Sequence, residues 1–116
     1  MDPAVIDFSP WPGQDADQLR VRIDEATAML RNAGFDATVC LLSDDPADTE
    51  STLAECFATG KFDVVEIGSG VRNSSKYTII FERVVNTVHA LQPGIRFCFN
   101  ESPETTLDAV RRALET

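Results

Sequence analysis

Four short apolar runs alternate with stretches of helical spacing, and this alternation constrains the fold more than any other feature of the chain. The runs are Ala4–Phe8, Ala37–Leu42, Phe62–Ile67 and Ile95–Phe99. Each reads apolar on both faces, as a strand does when it is covered on both sides of a parallel sheet. Between the first two runs, Leu19, Ile23, Ala26, Thr27 and Leu30 mark helix one, with Asp15 and Asp17 at its positive end and Gly34 as its stop. Helix two runs from about Asp48 to Gly60, with Leu53, Cys56 and Phe57 facing inward. Helix three spans about Ser75 to Leu91 and stops at Pro93-Gly94. Helix four follows Pro103, with Leu107, Val110 and Leu114 as its buried stripe.

Strands alternating with helices predict an α/β three-layer sandwich: a four-stranded parallel sheet, order 2-1-3-4, with helices on both faces. No linker or repeat divides the chain, so residues 1–116 read as a single α/β domain. Acids outnumber bases 19 to 10, a net charge of −9. That balance argues against duplex nucleic acid or an anionic membrane as partner, because both want a basic face. A small anionic ligand needs only a few local donors and stays open. The start of the chain shows no basic region followed by an apolar run, so no signal peptide is expected. No stretch approaches the ~20 apolar residues of a membrane span. With three cysteines, an odd number and none at metal-ligand spacing, a reduced cytoplasmic protein is the expectation. Cys40 and Cys98 would lie on opposite edges of the sheet, roughly 14 Å apart. A disulfide needs Cα atoms within about 7 Å, so three free thiols are expected.

In such a sheet a ligand crevice opens beyond the carboxyl ends of strands one and three, where the strand order reverses. Two loops meet there, Ser9 to Gly13 and Gly68 to Ser75. The candidate ligand-binding residues are Ser9, Trp11, Gly13, Gly68, Ser69, Gly70, Arg72, Ser74 and Asn100. The glycines let backbone amides approach a ligand, and Arg72 offers a two-pronged donor to phosphate or carboxylate. The glycine spacing is neither a P-loop nor a dinucleotide fingerprint. A plain strand-to-helix turn capped by Ser74 or Ser75 accounts for the same residues.

Asp7 and Glu66 are acids inside strands and approach the same crevice if the strands are neighbours. A metal-assisted enzyme using the pair is an alternative reading, against which each could simply face solvent or, for Glu66, pair with Arg72. On helix three, Glu82, Asn86 and His89 share one flank, as a structural network or a subunit contact. Ile79 falls on that polar side, which makes a protein-interaction or homodimerisation module using helix three a further alternative. Nucleophilic catalysis has no support, since there is no Gly-x-Ser-x-Gly elbow. Receiver domains of response regulators need acids where this chain has Ser9 and Gly68, and a fifth strand that it lacks.

The segments Ile67–Arg72, Phe81-Glu82 with Asn86 and His89, and Pro93–Asn100 resemble a family of small uncharacterised bacterial proteins. The resemblance runs from about Asp63 to the C-terminus, and more loosely over Pro10 to Gly13. It implies a flavodoxin-like or Rossmann-like layout and brings no assigned activity. Glu66 departs from the aliphatic residue expected there, which sets the carboxylate pair apart from any mechanism the family would share.

Overall fold

A computed structural model describes residues 1–115. Among these residues the chain forms five α-helices and two strands. They are α1 (Ala16–Asn32), α2 (Thr49–Phe57), β1 (Val64–Ile67), α3 (Ser69–Arg72), α4 (Thr78–Leu91), β2 (Arg96–Phe99) and α5 (Thr106–Leu114). Short 3-10 turns at Pro3–Val5, Pro46–Asp48, Ser75–Tyr77 and Pro103–Thr105 punctuate them.

The long helices begin and end where local chemistry places their caps. Asp15 opens α1 with a capping box: its carboxylate accepts from the Gln18 amide at 2.8 Å, and the Gln18 side chain accepts from the Asp15 amide at 2.9 Å. Gly34, at φ +96°, supplies the left-handed turn just beyond the helix end. In α4, Ile80, Val84 and Val88 recur every four residues and are fully buried.

β1 and β2 are parallel neighbours, with Val64 opposite Arg96 and Ile67 opposite Phe99. Helices lie against both sides of the pair. On one side Val65, Ile67 and Phe97 pack with Leu53 of α2 and with Ile80, Val84 and Val88 of α4. On the other, Val64 and Cys98 pack with Ala109 and Val110 of α5 and with Leu30 of α1. Carboxamide side chains tie down both ends of the strand pair. At the start of β1, the Gln92 carboxamide accepts from the Phe62 amide at 2.9 Å and donates back to the Phe62 carbonyl. At the far end Asn100 plays the matching part, described below.

The expected four-stranded, three-layer flavodoxin-like or Rossmann-like sandwich does not form, because the first two apolar runs make no ladder. The first run is taken up by turns of short range. Asp2 caps the turn Pro3–Val5 by accepting from the Ala4 amide, and the Asp7 carboxylate accepts from the Ser9 amide at 3.0 Å. Such Asx contacts, with Pro3, Pro10 and Pro12 unable to donate, outcompete pairing. The second run, Ala37–Leu42, is left without its neighbour. Leu42 is buried, but Val39 and Leu41 are 44% and 41% exposed where a covered strand would hide them. Among the described residues one backbone hydrogen bond links it to the N-terminal segment, from the Asp2 amide to the Leu42 carbonyl at 2.8 Å.

The cysteines also differ from expectation. Cys40 and Cys56 form a disulfide, their Cα atoms 6.3 Å apart. Cys40 turns inward beside α2 rather than lying on a remote sheet edge, so the separation from Cys98 that suggested free thiols has no bearing on it. Cys98 is a free, buried thiol. No helix among the described residues is long and apolar enough to cross a membrane.

Candidate functional site

β1 and β2 end side by side, so the residues that follow them share one place. Gly68 leaves β1 and leads into α3, a single turn. Asn100 leaves β2 and is 6% exposed. Its side-chain oxygen accepts from the Ser69 amide at 2.9 Å, and its side-chain nitrogen donates to the Thr106 hydroxyl at 2.9 Å. Its backbone amide donates to a Glu66 carboxylate oxygen at 3.2 Å, and its carbonyl accepts from Arg72 Nη2. One buried residue thereby joins β1, α3, β2 and α5, with every polar group of Asn100 paired.

Arg72 lies across the two strand ends. Its Nε donates to the Ile67 carbonyl at 3.0 Å, its Nη2 to the Asn100 carbonyl, and its guanidinium carbon sits 5.2 Å from the centre of the Phe99 ring. These three contacts fix the plane of the guanidinium. Glu66 is half-buried at the end of β1. Burial lifts its carboxyl above the ordinary range, against the opposing hydrogen bond from the Asn100 amide and the charges of Arg72 and the Met1 ammonium. Burial in turn lowers the Met1 amine, against the pull of Glu66.

Gly68, Ser69, Gly70, Arg72, Ser74 and Asn100 thus fall in one region. Ser74 acts there as a cap: its hydroxyl accepts from the Lys76 amide at 3.3 Å. Ser9, Trp11 and Gly13 lie in the turns before α1, where the Trp11 amide donates to the Phe8 carbonyl and Gly13 takes φ +85°. The Ser9 amide and side chain lower the Asp7 carboxyl, and the Lys76 ammonium adds to the effect. Asp7 is exposed and turned to Ser9, whereas Glu66 is bonded to Asn100, so the two carboxylates serve different neighbours. No cluster of three or more His, Cys, Asp or Glu able to hold a metal ion occurs among the described residues. Glu82, Asn86 and His89 are exposed on α4.

Sequence reasoning passed over Thr106 and Gln92, whose partners are six and thirty residues away. A local signal existed for the first: the Thr105 hydroxyl accepts from the Ser102 amide at 3.3 Å across the turn Pro103–Thr105, which leads directly into α5 and Thr106. It also passed over two open depressions away from the strand ends. One, of about 470 Å³, is lined by Asp24, Thr27, Arg31 and Val39; the other, of about 370 Å³, by Phe57, Lys61, Leu91 and Gln92. Comparison with protein-family models, curated proteins and solved structures finds no match.

Proposed function

We propose that the protein binds, without catalysis, a small ligand carrying an anionic group at the carboxyl ends of β1 and β2. The observation that carries this reading is the Arg72 guanidinium. Two backbone carbonyls and the Phe99 ring hold it in place, while its Nη1 has no hydrogen-bond partner among the described residues. A donor fixed before the ligand arrives loses little entropy on binding. The turn α3 adds little, because the Ser69 amide is already taken by Asn100 and four residues sum to a small dipole.

The test is amide and guanidinium NMR during titration with phosphate, then sugar phosphates and nucleotides. Shifts are expected at Arg72 Nε–H and at the amides of Gly68, Ser69, Gly70 and Asn100. Arg72→Lys should weaken binding by about tenfold, since lysine keeps the charge and loses the planar fork. Absence of shifts at these groups, or shifts confined to the depression beside α1, overturns the reading.

A second reading, self-association through α4, has its own support. Ile79 is 52% exposed on the same flank as the exposed Glu82 and Asn86.

A further inference from the structure

The disulfide holds a stretch that few other backbone bonds fasten. Ala37–Leu42 is extended in sequence character but belongs to no sheet. Among the described residues its backbone forms one hydrogen bond at each end: the Ala37 carbonyl accepts from Arg31 Nη2 at 3.0 Å, and the Leu42 carbonyl from the Asp2 amide at 2.8 Å. Between them, Val39 and Leu41 face outward and the Cys40 bond fastens the segment to α2. Cys40 and Cys56 are each only half-buried, so a thiol can reach the bond.

We propose that Cys40–Cys56 is a reversible redox pair whose reduction releases the Ala37–Leu42 segment from α2. The reductant is a dithiol. Its thiolate attacks one cystine sulfur, the S–S bond breaks, and a mixed disulfide forms. The second thiolate of the reductant then closes its own disulfide. Two electrons pass from the reductant, and two protons end on Cys40 and Cys56. The reduced state has a place for one of them, because the Thr52 carbonyl lies 3.8 Å from Cys40 Sγ, where a thiol can donate. The third cysteine does not interfere. Cys98 lies on β2, packed against α5, and burial pushes its thiol up to about 11, so it supplies no thiolate for exchange. The couple is therefore a single one between fixed partners. Unlike ligand binding at the strand ends, it needs neither Arg72 nor Asn100.

The experiment is backbone 15N relaxation of the native protein, oxidised and after dithiothreitol, read with thiol counting. The amides of Val39 to Leu42 donate no hydrogen bond among the described residues, so their mobility reports the release. Order parameters of Val39 to Leu42 should fall from the rigid value of about 0.85 to below about 0.6 when reduced, with β1 and β2 unchanged. The bond should open in reducing glutathione buffer and re-form in oxidising buffer without denaturant. Cys56→Ser should match the reduced protein and ignore dithiothreitol, whereas Cys98→Ser should keep the response. If Cys56→Ser fails to fold, the comparison of the two wild-type states still decides. Three thiols titrating after oxidation, a bond that opens only in denaturant, or equal order parameters in both states would each overturn the proposal.

Discussion

Replacing Asn100 with alanine isolates the side-chain half of the strand-end network. The backbone bonds of residue 100 to Glu66 and Arg72 survive, and the bonds to the Ser69 amide and the Thr106 hydroxyl are lost. Each lost bond is worth about 1 kcal/mol, and a buried group left without a partner costs about 1–3 kcal/mol. The Ser69 amide can recover water because its residue is half-buried, whereas Thr106 is 8% exposed and recovers less. The expected loss is about 2–3 kcal/mol, a large share of the ~5–15 kcal/mol that holds a domain of ordinary stability. Urea unfolding followed by circular dichroism measures it, and the midpoint should fall while the slope stays constant. Thr106→Val removes one of the same bonds from its other side, so the double variant should lose less than the sum of the single ones. A loss below about 0.5 kcal/mol for Asn100→Ala, or full additivity with Thr106→Val, would refute the account of Asn100 as a buried clip.

Glu66 makes a pH-dependent prediction. Its folded pKa is raised, so the native state binds the proton more tightly than the unfolded chain, and stability falls as pH rises from the ordinary carboxylate range through the raised value. Glu66→Gln keeps an oxygen for the Asn100 amide; it should raise Tm at neutral pH and flatten Tm against pH over that window, and a Tm below wild type at pH 7 counts against the burial argument. Cys98, pushed up to about 11, should resist iodoacetamide in the folded protein and label only on unfolding, so rapid native labelling would contradict its burial. If α4 mediates a dimer, Ile79→Glu should convert it to monomer in sedimentation; a native monomer at high micromolar concentration, or a dimer indifferent to the substitution, removes α4 from that role.

What could be read from the sequence was what short-range chemistry decides. The acids at the positive end of helix one, the Gly34 stop and the Pro93-Gly94 stop are local signals, and α1 lies between Asp15 and Gly34 while α4 ends just before Pro93. Ser75 was a near miss: the chain makes a 3-10 turn at Ser75–Tyr77 before α4 begins at Thr78. The third and fourth apolar runs pair because α4 returns the chain to bring Val64 beside Arg96. The first and second runs failed as strands because pairing needs a partner from far along the chain, while Asp2 and Asp7 find theirs two residues away. Proximity of Arg72 and Asn100 was legible, since each follows one of two parallel strands. That Arg72 would donate to the carbonyl of Asn100 was not, because nothing in either residue's spacing encodes a contact across 28 positions. The Cys40–Cys56 bond was hidden in the same way: Cys40 was weighed against Cys98 across a sheet that does not form.

The two carboxamides bear on register. A pair of four-residue strands with no third neighbour has few rungs with which to define its own alignment. A slip by one residue would turn Ile95 and Phe97 away from the α2 and α4 side. Ladder bonds tolerate such a slip, because one backbone amide is much like the next. Gln92 and Asn100 do not, because each must meet one particular residue, Phe62 at one end and Ser69 at the other. They act as end stops, and the alignment of the only sheet among the described residues is specified largely by side chains outside it.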